Sequence, residues 1–231
     1  MTENMENVFD SREAASAAAA AHIGEALARR LEAQGKASVV VSGGSSPAGV
    51  FAELAQTALA WSDVHVIMSD ERWVPPDHAD SNERLVRETL LTGAAQDAKL
   101  LPFYAADTAI EARCEELDEE LRLAPFPFAC ALLGMGEDGH FASLFPDADN
   151  LAEGLDVDSS RLCIPVNTAA SEHARLSLSL SALSRSDEIL LLIFGEQKRE
   201  IYETAKQDAN GFPVSHLLRQ KRAPVHLYWA P

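Results

Sequence analysis

The sequence predicts an α/β fold built on a mostly parallel sheet with helices on both faces. Short apolar runs at 37–42, 128–133 and 189–194 lack the alternation of a half-solvated strand and suit strands buried on both sides. Segments with helical periodicity separate these runs, the pattern of βαβ units. Two of the runs open directly into glycine turns, and in an open α/β sheet the carboxyl ends of the strands are where ligands bind.

Taken in order, 11–33 reads as a long amphipathic helix rich in Ala and Leu, 37–42 as a strand and 47–58 as a helix. The next strand is 64–68, ending in Ser69-Asp70-Glu71-Arg72, with helices expected at 81–91 and 109–122. After the strand at 128–133 come strands at 162–166, 175–180, 189–194 and 225–229, and a helix at 196–205. There is no internal repeat, low-complexity tract or evident linker, so residues 1–231 are expected to form one α/β domain, with room for a small subregion.

Composition excludes several classes. Hydrophobic residues make up 47% of the 231, enough for a sizeable core. No apolar run approaches the ~20 residues that span a bilayer. The Ala-rich stretch 14–21 is not read as a secretion signal, because acidic residues precede it and charged helix follows. Three cysteines, Cys114, Cys130 and Cys163, form neither a CxxC nor a mixed Cys/His ligand pattern, so reduced thiols in a cytoplasmic protein are expected and no structural zinc. A net charge of −17 argues against nucleic acid or an anionic membrane as partner. That charge is uneven: residues 1–160 carry 10 basic against 29 acidic side chains, residues 161–231 carry 9 against 7. An anion site would therefore be built locally, with counter-charge from the last third.

Three turns carry the chemistry. Leu133-Gly-Met-Gly-Glu-Asp-Gly-His-Phe-Ala-Ser-Leu-Phe-Pro146 places Gly134, Gly136 and Gly139 around Asp138 and His140. An imidazole there can take or give a proton near neutral pH. Gly134, Gly136 and Gly139 also match the spacing of a dinucleotide fingerprint. His140 and Phe141 stand where small residues are needed, however, and no strand-ending acidic residue follows ~20 positions on. In Ser42-Gly-Gly-Ser-Ser-Pro47 two glycines and two hydroxyls before a helix make a cradle of N–H groups suited to phosphate, with Pro47 at the first helical position and Ser45 or Ser46 available as an N-cap. It is neither a P-loop nor a nucleophile elbow. Asp70-Glu71-Arg72-Trp73 closes a third strand on the same sheet edge, and Asp80-Ser-Asn82 could cap the following helix. Arg175 and Lys198 are candidate counter-charges for one dianionic phosphate.

In order and spacing these three motifs resemble the 6-phosphogluconolactonases, from about residue 38 to 200 and beyond. The resemblance implies a doubly wound, Rossmann-like α/β fold shared with glucosamine-6-phosphate deaminases. It also implies a cytoplasmic, metal-free and cofactor-free hydrolysis of a phosphorylated sugar lactone in the oxidative pentose phosphate pathway. The partner is then a small molecule, and the protein a monomer or weak homodimer. Two positions depart from the pattern: Ser46, where Thr is more usual, and Phe141, where Thr commonly follows the His and where the site rim could be reshaped.

On this reading His140 is the general base, with Asp138 or Asp70 supporting it. Gly43, Gly44, Ser45 and Ser46 take the phosphate with Arg175 and Lys198, and Gly136 helps position substrate. Arg72 contacts sugar oxygens or holds Asp70. A deaminase or isomerase is the rival. In deaminases a Glu-Pro pair follows the Asp-Gly-His turn, and here Phe145-Pro146 stands in its place. A sensor on the same scaffold would call for an output module, and no basic helix-turn-helix region is present.

Overall fold

The computed structural model describes residues 4–208 and 211–231. The chain opens with β1 (Glu6–Val8) and α1 (Arg12–Gln34), capped by the Ser11 side chain, which accepts from the Ala14 N–H. It continues through β2 (Ala37–Val41), α2 (Ala48–Leu54), β3 (Val64–Met68), β4 (Asp70–Arg72), α3 (Asn82–Thr89) and β5 (Lys99–Leu101). Then come α4 (Ile110–Leu123), β6 (Cys130–Leu133), α5 (Leu151–Leu155), β7 (Cys163–Val166) and β8 (Arg175–Leu178). The remainder is α6 (Leu180–Leu183), β9 (Ile189–Phe194), α7 (Glu196–Gln207), α8 (Pro213–Arg219) and β10 (Val225–Ala230).

Seven strands form one sheet in the order β1-β10-β9-β6-β2-β3-β5, every pair parallel. Every residue of β2 and β6 is buried, as expected of strands covered on both faces. The chain winds outward from β2 through β3 to β5, then returns to the other side of β2 and winds outward again through β6, β9 and β10. The expected doubly wound α/β fold is therefore present, with its switch of direction between β2 and β6. A crevice at the carboxyl ends of those two strands is the place such a sheet offers a ligand.

A second, antiparallel sheet, β4-β8-β7, was not foreseen as a separate layer. The chain passes from one sheet to the other at Ser69, whose N–H donates to the Val41 carbonyl (2.8 Å) while its own carbonyl accepts from Leu178 N–H (2.8 Å). Segments 162–166 and 175–180 were expected as strands and are strands, but here they pair with each other. The second ends at Leu178 because Ser179 caps α6. The turn after Gly139 does not run straight into a helix; irregular backbone continues to Leu151. α2 begins at Ala48, so Pro47 occupies the N-cap and neither Ser45 nor Ser46 caps the helix. Phe141, expected to bear on the site rim, is fully buried in the core. Among the described residues no helix is long and apolar enough to cross a membrane.

Candidate active site

A cavity of about 270 Å³ occupies the crevice at the switch between β2 and β6. The chain after β2 lines it with Ser42 to Ser46, and the chain after β6 with Gly134, Met135, Gly136, His140 and Ala142. Asp70 and Arg72 come from β4, Arg175 from β8, Asn82 from α3 and Lys198 from the first turn of α7. Of the residues given a catalytic, phosphate-binding or positioning role from sequence, only Asp138 does not line the cavity. It stands behind His140.

The His140 geometry follows from its turn. Gly136 N–H donates to the His140 carbonyl (2.9 Å), folding the backbone so that the ring lies over Gly136. A Cβ at Gly136 would stand 2.3 Å from ring atoms Cε1 and Nδ1, so only glycine fits beneath the imidazole. Nδ1 lies 2.5 Å from Asp138 Oδ1, which also accepts the His140 backbone N–H at 3.1 Å. A carboxylate can only accept, so the Nδ1 proton is held there, and in the neutral imidazole the lone pair is on Nε2. On the other face the Phe145 ring packs at 4.1 Å between centroids.

Asp70 has other partners. Ser69 Oγ donates to its Oδ1 (2.8 Å), Ser143 Oγ to its Oδ2 (2.5 Å), and Arg175 Nη1 lies 3.5 Å from Oδ2. It is the carboxylate of the Arg175 corner of the cavity. Among the described residues Arg72 makes no bond to Asp70: its Nη1 donates to the Asp80 carbonyl (2.5 Å), while its Nε is buried with no partner. An unpaired buried N–H is costly.

The cations are placed against their electrostatic preference. Arg72 and Arg175 stand directly opposite on the β4–β8 ladder, where like charges repel. Burial pulls the Arg175 guanidinium below the usual arginine range, Asp70 opposes that shift, and Arg72 adds to it. Burial likewise lowers the Lys198 ammonium, with Glu137 opposing and Arg12 reinforcing the shift. Lys198 makes no ion pair with any described residue. A bound dianion would relieve all three.

Sequence reading missed part of this site. Asn82 was assigned to helix capping; Ser81 is the N-cap, and Asn82 is buried with Nδ2 donating to the Asp70 carbonyl (2.8 Å). Its side chain packs so close to Gly43 that a Cβ there would lie 1.9 Å from Oδ1, which makes glycine obligatory in the loop. Ser143 was passed over as one hydroxyl of the glycine-turn motif. Glu71, given no role from sequence, is almost fully buried: its carboxylate accepts from the N–H groups of Arg72 (2.7 Å), Asn82 (2.8 Å) and Glu83 (2.7 Å) and from Ser81 Oγ (3.0 Å). Burial outweighs those bonds and pushes the Glu71 carboxyl up. The clue to its role was the spacing of ten residues to Ser81, which no local pattern encodes.

The family model described as glucosamine-6-phosphate isomerases/6-phosphogluconolactonase matches residues 10–229. A 6-phosphogluconolactonase of Mesorhizobium japonicum is 39% identical over 225 residues, covering 97% of this chain and 94% of that protein. One of Rhizobium meliloti is 36% identical over 233 residues, covering 100% of both. The crystal structure of a 6-phosphogluconolactonase from Shewanella baltica superposes with a TM-score of 0.94 at 38% identity, covering 100% of this chain and 99% of that one. With nearly its whole length matched in sequence and in fold, the chain belongs to the glucosamine-6-phosphate isomerase/6-phosphogluconolactonase family.

Proposed function

We propose that this protein hydrolyses 6-phosphoglucono-1,5-lactone to 6-phosphogluconate, with water activated by His140 and no metal in the reaction. The observation that carries the reading is one cavity lined by two chemically distinct sets of groups. One is an imidazole that, with its Nδ1 proton held by Asp138, presents Nε2 as a base. The other is the 43–46 loop with Arg175 and Lys198, which offers N–H groups, hydroxyls and under-compensated positive charge. A δ-lactone bearing a remote phosphate needs both. The phosphate anchors, and its binding energy positions the ring carbonyl for attack.

In this mechanism His140 Nε2 takes a proton from water as the oxygen attacks C1, and Asp138 stabilises the imidazolium that forms. The ring C–O bond then breaks and the proton passes to the leaving oxygen, giving the open-chain acid. Arg72, on the cavity wall, contacts sugar oxygens. Asp70 keeps Arg175 in place and takes no part in proton transfer. Among the described residues the one group of three metal-capable donors, His78, Asp80 and His173, does not include His140. The donor set at His140 thus suits proton transfer better than a metal. The reading places the protein in the oxidative pentose phosphate pathway in the cytoplasm.

The rival deaminase chemistry opens a ring and moves a proton between carbons, which calls for an additional carboxylate beside the imidazole. Phe145 fills that space with a nearly buried apolar ring between His140 and Arg175, whose guanidinium lies 5.2 Å from the ring centroid. The test generates the lactone in situ with chelator present and follows acid release, alongside ammonia release from glucosamine 6-phosphate. Lactone opening well above the spontaneous rate is expected, with no ammonia. Faster ammonia release overturns the assignment, and complete loss of lactonase activity in chelator overturns the metal-free mechanism.

A further inference from the structure

Two loops at the rim of the cavity carry a second cluster of donor atoms. Because β4 and β8 pair antiparallel with Arg72 opposite Arg175, the chain leaving β4 and the chain entering β8 emerge at the same end of the ladder. The first loop carries His78 and Asp80, the second His173. His173 Nε2 lies 3.2 Å from Asp80 Oδ2, and His78 Nδ1 lies 3.7 Å from the same oxygen. One donor atom from each residue falls within 4.8 Å of the other two. In a tetrahedral zinc site with metal–ligand bonds of about 2.0–2.2 Å, neighbouring donors stand about 3.3–3.6 Å apart. The two measured separations bracket that edge. The side chains of His78 and Asp80 are substantially exposed, so a fourth corner is open to water.

We propose that His78, Asp80 and His173 form a divalent transition-metal site of the zinc type, tying the two rim loops together. Two imidazoles and one carboxylate suit zinc, cobalt or nickel and offer too few oxygens for calcium or magnesium. Binding takes the His78 Nδ1 lone pair from the Asp80 N–H, which it now accepts at 3.1 Å, and leaves that N–H to solvent. The cluster is coupled to the cavity from both loops: the Asp80 carbonyl accepts from Arg72 Nη1, and Ser171 Oγ, which accepts from Arg175 Nε, donates to the His173 carbonyl. A cation there fixes the loop that orients Arg72. It lies outside the proton-transfer apparatus and is independent of the lactonase reading.

The test titrates zinc chloride into chelator-stripped, desalted full-length protein by calorimetry, and cobalt chloride by visible absorption. One zinc per chain with a low micromolar Kd is expected, with the intense d–d bands of four-coordinate cobalt. Tm should rise by about 5 °C at a hundredfold excess over Kd. His78→Ala and His173→Ala should each weaken binding by roughly tenfold or more and abolish the cobalt bands. Asp80→Asn, which preserves loop size, probes the same site should an alanine variant fold poorly. Absence of zinc binding at micromolar concentrations, or folded variants that bind zinc as the parent does, overturns the proposal.

Discussion

At the scale of single residues, the site separates a group that moves protons from one that holds it in register. His140→Asn keeps a polar side chain of similar reach but removes the base. We expect kcat to fall ~10²-fold or more with little change in KM. Asp138→Asn keeps the ring and loses the carboxylate that holds the Nδ1 proton, so a smaller fall in kcat is expected. A folded His140→Asn protein with near-normal kcat would hand the role of base to another group. Lys198 gives a prediction in pH. Burial lowers its ammonium, and an ammonium is charged below its pKa and neutral above it. Affinity for 6-phosphogluconate should therefore drop as pH climbs through that lowered value, before ordinary lysines titrate. Lys198→Arg should abolish that limb, and Lys198→Ala should cost about 10- to 150-fold near pH 7, the equivalent of ~1.5–3 kcal/mol for a charged hydrogen bond. Equilibrium binding of 6-phosphogluconate across pH measures both, and parental affinity in Lys198→Ala would put the phosphate elsewhere. The glycine turn and the serine loop were visible in sequence because their chemistry is local. Asn82 and Ser143 were not, since their importance arises only when α3 and the Gly139 turn meet Asp70 in space.

At the scale of elements, what sequence showed depended on length and period. The long helix at 12–34 stood out by its amphipathic period, and strands such as 37–41 or 189–194 because burial on both faces leaves continuous apolar runs. β1, β4 and β5 are three residues each, too short to establish any period, and α8 has only seven. β4 was further disguised because Asp70, Glu71 and Arg72 have the composition of a surface loop. Its second sheet exists to carry that charged triplet against Arg175, so the element hardest to see is one that builds the site. Glu71 is the joint between β4 and α3. Its two oxygens take two N–H groups, one N–H and one hydroxyl, so in Glu71→Gln either amide orientation sets an NH₂ against a backbone N–H. A loss of ~1–3 kcal/mol is expected in urea denaturation, together with a raised KM as Asn82 and Arg72 lose their seating. Stability and KM equal to the parent would mean that the cap is dispensable.

At the scale of the whole molecule, charge and packing work at different ranges. The −17 chain repels an anion at a distance, yet Arg72, Arg175 and Lys198 converge on one cavity because the second sheet and α7 bring them from positions far apart in sequence. That convergence holds only if the two sheets keep their relation, and the core indicates how. Buried residues of the parallel sheet, such as Val39, Ile67 and Leu191, share one contiguous cluster with Ile164, Leu176 and Leu178 of the antiparallel sheet. Ser69 is hydrogen-bonded into both sheets. We infer a single cooperative unit: the small sheet lacks an interior of its own and cannot outlast loss of the shared one. Unfolding followed by far-ultraviolet circular dichroism, which reports mainly α1, α4 and α7, should coincide with tryptophan fluorescence. That fluorescence samples Trp61 beside β3, Trp73 just after β4 and Trp229 in β10. Calorimetric and van't Hoff enthalpies should agree, at about 160 kcal/mol near 60 °C for a chain of this size. To isolate the small sheet, Trp61→Phe and Trp229→Phe leave Trp73 as the sole reporter. An earlier transition seen by Trp73 alone, with the helical signal intact, would show that the sheet bearing Asp70, Arg72 and Arg175 melts independently of the fold it is attached to.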